Sequence, residues 1–277
     1  MPRLIVLLVA CALLWPAALA VRPALAVSPA AGGSRAEAEQ ATATRVVVLV
    51  LANGGKFVGN DIGGALITIR DARTKQVLAT GRTEGGSGPA DLVTVDINRL
   101  QTWPETDASR FVTTLPIDEP RLVEVIAYGP LAAQASAVEA SSTVWLLPAS
   151  AARPENRVVL TLRGLVVQVL SPPTHYLPTG APPHQISLRA NVAMMCGCPI
   201  GPSEPWKPED YLVLATIRGA SGVLAVVPLQ FDPSAGVPSQ FVGEWVAPAA
   251  GVFEVVVTAS QLTHDNTGVD RATFIVG

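Results

Sequence analysis

From Arg45 to Gly277 the chain alternates between short apolar segments and clusters of turn-forming residues. Segments rich in Val, Ile, Leu and Thr, such as Ala65–Arg70, are separated by Gly, Pro, Asn and Asp, and apolar and polar positions alternate within many of them. A period of two is typical of a strand with one buried face, and frequent turns are typical of sandwiches and barrels. No stretch of a dozen residues has a helical period. The sequence therefore predicts an all-β protein.

The pattern predicts two antiparallel β-sandwich domains, over residues 45–163 and residues 164–277, a division that suits the chain length. In the first domain we predict strands at Arg45–Leu51, Ala65–Arg70, Gln76–Thr80, Leu92–Ile97, Arg110–Leu115, Arg121–Tyr128, Ser142–Leu147 and Val158–Leu162. In the second domain we predict strands at Gly164–Leu170, Gln185–Met195, Tyr211–Arg218, Val223–Phe231, Gln240–Ala247, Gly251–Ser260 and Arg271–Val276.

The N-terminus has the layout of a secretory signal peptide. Arg3 precedes an apolar run from Leu4 to Ala20, and the small residues around Ala24–Ala26 fit a cleavage site. We predict a signal peptide over residues 1–26 and, because residues 27–44 are polar and small without an apolar period, a disordered lead-in there. The protein is therefore expected to be periplasmic or secreted.

Charge excludes one class of partner. The chain has a net charge of −3, and removing the predicted signal peptide, which contains two arginines, leaves −5. There is no cluster of Lys or Arg, whereas nucleic-acid binding depends on neutralising phosphates. We expect no nucleic-acid partner, and no later apolar run is long enough to predict a membrane span in the mature chain.

Two glycine-flanked segments in the first domain resemble a known class of module. Gly64–Asp71 followed by Gln76–Gly86 has the order small residue, strand, turn, strand, Thr, acidic residue and Gly. This order resembles the transthyretin-like, carboxypeptidase-regulatory class of β-sandwich. The resemblance covers about forty residues and implies a non-catalytic module that supports or tethers another component.

The end of the chain resembles a different class. Gly251–Ala259 followed by Asn266–Asp270 resembles the closing hairpin of bacterial Ig-like domains. This resemblance implies an Ig-like sandwich for the second domain, and it says nothing about a ligand.

The candidate chemistry is concentrated in residues 193–200, Ala-Met-Met-Cys-Gly-Cys-Pro-Ile, which contain every Met and Cys outside the predicted signal peptide. Side chains alternate along a strand, so the even positions from Ile186 to Cys198 share one apolar face. One interpretation is therefore that Met194 and Cys196 end a buried stripe, since Cys is among the most buried residue types. Gly197 and Pro199, however, are expected to end the regular strand at Cys198, where the chain leaves the sheet.

Thiolate and thioether sulfurs select soft ions, above all Cu(I). Cys196 and Cys198 can both point at one ion, with Met194 or Met195 as a third ligand, whereas a closed zinc site needs four ligands. In an Ig-like domain the loop after Met195 and the loop containing His264 lie at the same end. The sequence therefore predicts a soft-metal site, most simply copper, formed by Cys196, Cys198, Met194, Met195 and His264.

Three functions remain open. The first is a non-enzymatic envelope protein that handles copper for an envelope protein partner, without another cofactor. The second is a structural or interaction accessory module in which the cysteines are buried or disulfide-bonded. The third is a thiol–disulfide exchange protein, because a Cys-Gly-Cys disulfide closes a very small ring.

Two weaker patterns have ordinary structural explanations. Oxygen ligands in Asp265–Asp270 suit calcium, although such Asn-containing turns are common in hairpins. Trp103, Trp145 and Trp245 would suit the floor of a sugar site, although scattered tryptophans are usually in the core.

Overall fold

The computed structural model describes residues 43–88, 108–150, 152–174 and 176–277, and it confirms the all-β prediction. Within these residues the regular elements are β-strands and short 3-10 turns. The predicted signal peptide, nearly all of the predicted lead-in and the predicted strand Leu92–Ile97 lie outside the described residues. No helix in the described part of the chain is both long and apolar enough to cross a bilayer.

The first sandwich contains eight described strands in two four-stranded sheets, with the orders β4-β5-β1-β8 and β3-β2-β6-β7. The strands are β1 (Ala43–Ala52), β2 (Leu66–Asp71), β3 (Val77–Arg82), β4 (Glu84–Ser87), β5 (Ala108–Pro116), β6 (Arg121–Gly129), β7 (Val138–Leu146) and β8 (Glu155–Leu162).

Strand β1 holds the first sandwich together because it lies inside its sheet and is apolar along most of its length. Val46, Val48 and Val50 are fully buried and face the core between the two sheets. β1 pairs antiparallel with β5 and parallel with β8, from Arg45 opposite Glu155 to Ala52 opposite Leu162. The parallel pair departs from the predicted antiparallel arrangement, because β7 belongs to the other sheet and the chain crosses over before it enters β8.

The second sandwich is a seven-stranded arrangement with the order β15-β14-β11-β12-β13-β10-β9. β12 pairs with β11 along most of its length but with β13 only at Gln230 and Phe231, so it passes from one face of the sandwich to the other. The strands therefore form a second all-β sandwich. The strands are β9 (Leu165–Ser171), β10 (His184–Met194), β11 (Tyr211–Gly219), β12 (Gly222–Phe231), β13 (Gln240–Ala247), β14 (Gly251–Gln261) and β15 (Asn266–Val276).

Side chains cover the outer edge of β9, which would otherwise present unpaired backbone groups. Asp270 on β15 accepts a hydrogen bond from Val169 N at 2.7 Å, and Ser136 Oγ of the first sandwich accepts one from Val167 N at 3.1 Å. Covering an edge strand in this way removes a template for pairing with another chain. The two sandwiches are therefore joined at a strand edge as well as through the chain itself.

The largest differences from the predicted strands are at β4, β7 and β15. β4 was not predicted, because Glu84–Ser87 lacks apolar alternation and becomes a strand by pairing with β5. β7 begins at Val138 and β15 begins at Asn266, four and five residues earlier than predicted. In the second case the segment interpreted as a calcium-type turn is part of the last strand.

The outer face of the sheet β3-β2-β6-β7 contains an ion-pair cluster with a defined pH dependence. Glu124 accepts hydrogen bonds from Arg70 Nε at 2.8 Å and Lys75 Nζ at 2.9 Å. The hydrogen bonds to Arg70 and then Lys75 lower the pKa of Glu124 from an ordinary value of 4.5 to about 2.

We expect a Glu124→Gln substitution to lower the unfolding midpoint at pH 7 and to have little effect at pH 2. A lowered folded-state pKa means that the carboxylate stabilises the fold fully above pH 4.5, and that this contribution is lost as the pH falls towards 2. Thermal unfolding of both proteins between pH 7 and pH 2 measures the effect. A pH-independent difference between them would contradict this assignment.

Candidate functional site

The two sandwiches meet at the turn that follows β1, Asn53–Lys56, here called the junction turn. Its backbone is closed by hydrogen bonds from Gly55 N to Ala52 O and from Ala52 N to Lys56 O, both 2.9 Å. Gly54 has a φ of 65°, in the left-handed region that favours glycine. Asn53 N also donates to Leu162 O at the end of β8, so the turn is fixed beside the point where the chain enters the second sandwich.

The Met-Cys segment forms a tight turn immediately after β10. Gly197 N donates to Met194 O at 2.8 Å, Met194 N donates to Cys198 O at 3.1 Å, and Gly197 has a φ of 75°. Cys196 and Cys198 are joined by a disulfide within this turn. The regular strand therefore ends at Met194. The prediction that Gly197 and Pro199 end it at Cys198 is wrong, because the turn begins four residues earlier than that pattern suggests.

The predicted core face of β10 is confirmed. Ile186, Leu188, Ala190, Val192 and Met194 are all fully buried. Beyond the strand, burial continues through the turn, with exposed fractions of 1% for Met195 and Cys196 and 5% for Cys198. The sulfur atoms thus belong to one apolar cluster that extends from the first sandwich into the second.

The two methionine side chains contact different neighbours. Tyr211 Oη donates to Met194 Sδ at 3.0 Å. Burial raises the pKa of Tyr211 well above its ordinary value, so the hydroxyl keeps its proton. Met195 extends towards Gly164, where a Cβ added to the glycine would lie 2.7 Å from Met195 Cε.

The disulfide turn packs directly on the junction turn. A Cβ added to Gly55 would lie 3.2 Å from Cys196 Sγ, which shows how close the sulfur is to the glycine backbone. Trp206, in the loop that follows the disulfide, is buried and donates from Nε1 to Gly54 O at 2.9 Å. The absence of a side chain at Gly55 therefore permits the approach of the sulfur, and the indole binds the carbonyl of the neighbouring glycine.

His264 approaches the same turn from the loop between β14 and β15. A Cβ on Gly54 would lie 2.7 Å from His264 Cδ2, and His264 O accepts a 2.7 Å hydrogen bond from Asn53 Nδ2. His264 Nδ1 forms a hydrogen bond with Thr263 Oγ1 at 2.9 Å. The two loops thus lie at one end of the second sandwich, on neighbouring residues of the junction turn.

Asn266 is the polar centre of the junction and is fully buried. Its Oδ1 accepts hydrogen bonds from Gly164 N at 3.0 Å and Asn53 Nδ2 at 3.1 Å. Its Nδ2 donates to Asn53 O at 2.9 Å and to Gln261 Oε1 at 2.7 Å. One amide therefore joins the first sandwich, the connecting segment and the second sandwich, and all of its hydrogen-bonding capacity is used.

The five predicted metal ligands are brought to one end of the second sandwich, and two of them are in direct contact. Cys196 and Cys198 are bonded to each other, while Met194, Met195 and His264 contact Tyr211, Gly164 and Gly54 respectively. Among the described residues, no group of three or more His, Cys, Asp and Glu side chains is placed to hold a metal ion. Sulfurs in a disulfide are not the thiolates that a soft ion requires.

A pocket of about 210 Å³ opens beside the disulfide. Both cysteines line it, together with charged residues from the two sandwiches and the ring of Trp206. The charged lining residues are Lys56, Asp61 and Glu204.

Sequence reasoning did not identify Asn53, Gly164 and Asn266 as the residues that join the sandwiches. Asn266 was interpreted as a turn residue or a calcium ligand, yet its side chain is occupied by hydrogen bonds within the protein. One feature of the sequence could have indicated this junction. Almost no linker separates the strand that ends at Leu162 from the strand that begins at Leu165, so loops of the two sandwiches must lie close together near Gly164.

No protein-family model matches this chain, and no curated protein matches it. Among solved structures, the chain is similar to the fibronectin(III)-like modules of Clostridium thermocellum CbhA, with 11% identity, coverage of 83% of this chain and 93% of that chain, and a TM-score of 0.25. It is also similar to a chimeric titin Z1Z2-Z1Z2 tandem, with 9% identity, coverage of 83% of this chain and 94% of that chain, and a TM-score of 0.22. For the polymeric Ig receptor ectodomain of a teleost fish, the identity is 10%, the coverage 83% and 97%, and the TM-score 0.21.

Replacing Asn266 with Ala is expected to destabilise the protein by about 3 kcal/mol, because it leaves buried donors and acceptors of Asn53, Gly164 and Gln261 without partners. Urea unfolding of the full chain measures this change. The matched control is Asn191→Ala on β10, which removes a half-buried amide that has no hydrogen bond within the described residues and should cost less than about 0.5 kcal/mol. Equal effects of the two substitutions would contradict a central role for Asn266.

Proposed function

We propose that this is an exported, non-catalytic accessory protein whose two sandwiches act as one unit, with the Cys196–Cys198 disulfide shaping the loop that joins them. The observation that carries the proposal is the position of the disulfide. It lies almost fully buried against Gly55 of the first sandwich, in a turn only five residues long. A disulfide in that place preserves a packed surface and leaves no reactive thiol.

Three further contacts support a fixed relation between the sandwiches. Trp206 and His264 contact Gly54 from two different loops. The side-chain amide of Asn266 accepts a hydrogen bond from Asn53 Nδ2 and donates one to Asn53 O. Buried, fully satisfied polar networks are specific in geometry, because each alternative arrangement leaves a group unpaired. A rigid pair of sandwiches suits a protein that presents surfaces to partners in the cell envelope or outside the cell.

A transthyretin-like, carboxypeptidase-regulatory ancestry for the first sandwich belongs to the same proposal. The segments that resemble that class form β2, β3 and β4, with the turn Asp71–Gln76 between the first two. Modules of this class support or tether another component, which agrees with an accessory role.

Thiol–disulfide exchange is less well supported by this geometry. Exchange requires a thiolate to attack one of the disulfide sulfurs along an open path. Cys196 and Cys198 are exposed by only 1% and 5%, and Cys196 lies against the junction turn. An attacking thiolate would therefore have to reach the sulfurs through the pocket of about 210 Å³ beside the disulfide.

Copper handling is a second candidate, favoured by the pocket onto which both cysteines open. Reduction would place two thiolates one residue apart at its wall, a pair that suits Cu(I). Met194 or Met195 would complete the site only after leaving Tyr211 or Gly164, and His264 only after leaving Gly54.

Protein isolated from the cells that make it should contain the disulfide and less than stoichiometric copper. Alkylation should find no reactive thiol before reduction and two thiols in the mature chain after reduction, since Cys196 and Cys198 are its only cysteines. Mass spectrometry of the alkylated protein and elemental analysis of the same sample make the two measurements. One copper ion per chain together with two thiolates would replace the accessory function with copper handling.

The second candidate has its own test in the reduced protein. We expect a Cys196→Ser/Cys198→Ser variant to lose any Cu(I) binding that the reduced wild-type chain shows in competition with a chelator. A Met195→Leu variant serves as the control for the methionine contribution, because Leu fills a similar volume without a thioether. Equal Cu(I) affinity of the reduced wild type and the double Ser variant would eliminate copper binding at this turn.

A further inference from the structure

Trp145 lies on the surface of the first sandwich, where more than half of its side chain is not used in packing. It is 54% exposed, whereas Trp206 is 5% exposed and Trp245 packs against Phe253 at a ring separation of 5.2 Å. Trp145 lies near the end of β7, the edge strand of the sheet β3-β2-β6-β7, opposite Leu122 on β6. A large exposed aromatic ring at a sheet edge is a feature of recognition surfaces.

A polar pocket of about 340 Å³ lies beside this ring. Its lining comes from the β2–β3 turn and from the loop between β5 and β6. The charged lining residues are Asp71, Arg73, Asp118, Glu119 and Arg121.

One pair in the pocket is held in place by the fold. Arg121 Nε donates to Asp71 Oδ2 at 3.0 Å, while Asp71 Oδ1 accepts from the backbone N–H of Arg73 and Thr74 at 2.9 and 2.8 Å. The backbone N–H of Thr74 and the Arg121 guanidinium, in that order, hold the pKa of Asp71 well below its usual range. Hydrogen bonds within the fold thus fix the position of the Asp71 carboxylate at the pocket wall.

The other three charged groups are available to a ligand. Arg73, Asp118 and Glu119 are exposed and form no ion pair with the described residues. Together they supply guanidinium donors and carboxylate acceptors within one pocket whose charges nearly balance. A phosphate or a nucleic acid would be repelled by the carboxylates, whereas a neutral hydroxyl group can both donate and accept.

The surface continues from Trp145 along β7. Thr143 and Ser141 point to the same side as the indole and are exposed, because side chains alternate between the two faces of the strand. Opposite them on β6 lie Glu124 and Ile126. An extended ligand stacked on Trp145 would therefore meet hydroxyl groups at each second residue along the edge strand.

We propose that this surface, Trp145 with the adjoining pocket and the outer side of β7, binds a neutral carbohydrate chain. The indole face packs against the C–H face of one pyranose ring, and Asp118, Glu119 and Arg73 hydrogen-bond its hydroxyl groups. Thr143 and Ser141 contact the following sugar units. The surface is separate from the junction turn, so this proposal goes beyond the accessory function and does not depend on the disulfide.

The test uses the full mature chain and three neutral hexasaccharides, cellohexaose, chitohexaose and maltohexaose, in isothermal titration calorimetry. We expect at least one of them to bind the wild type and a Trp145→Ala substitution to weaken that binding by roughly tenfold or more, as loss of an aromatic contact would. Trp145→Tyr should retain most of the affinity because it preserves a ring face. Asp118→Asn combined with Glu119→Gln should weaken binding without changing the unfolding midpoint.

The control is Val252→Ala, which removes a 61% exposed apolar side chain from the second sandwich and should leave the affinity unchanged. Indole fluorescence supplies a second measurement, since the ligand should shift the emission of the wild type but not of Trp145→Ala. The proposal is wrong if none of the three hexasaccharides binds the wild type. It is also wrong if Trp145→Ala binds as tightly as the wild type, because the saccharide would then lie on a different surface.

Discussion

The relation between the two sandwiches depends on one buried asparagine amide. Asn266 uses both of its polar atoms to bond Asn53, Gly164 and Gln261, so a displacement of either sandwich would leave buried groups unpaired. Apolar burial around it is non-directional and would tolerate several arrangements of the two domains. The hydrogen bonds of this amide select one of them, and the contacts of Trp206, His264 and the disulfide turn with the junction turn all require that arrangement.

The surroundings of the Met-Cys turn favour a packing role for its sulfur atoms. Its concentration of Met and Cys suggests soft-metal chemistry, but the structure places the sulfurs where an apolar stripe of the second sandwich continues into the first. Cysteine and methionine are polarizable and adapt to irregular gaps, which is what a junction between two differently shaped sandwiches creates. In the disulfide form these atoms therefore suit packing at the junction, and the proposed copper site would require the disulfide to be reduced.

Local pattern was sufficient for some features and insufficient for others. The alternation from Ile186 to Met194 correctly predicted the buried face of β10, because burial follows from the period of two alone. The structure places Cys196 and His264 beside neighbouring residues of the junction turn, Gly55 and Gly54. The parallel pairing of β1 with β8 and the strand character of Glu84–Ser87 depend on distant partners, which no local pattern encodes. The role of Asn266 was not predicted for the same reason: its partners are distant in the sequence, and an Asn in such a segment is usually a turn residue.

The pairing of β1 with β8 also determines how the first sandwich would transmit a pulling force. These are its first and last described strands, they run parallel, and they are adjacent from Arg45–Glu155 to Ala52–Leu162. Tension applied between the start of β1 and the end of β8 acts along both strands, so all of the hydrogen bonds between them bear load together and none can be opened singly from one end. The sandwich would therefore resist extension in shear along the full length of this strand pair.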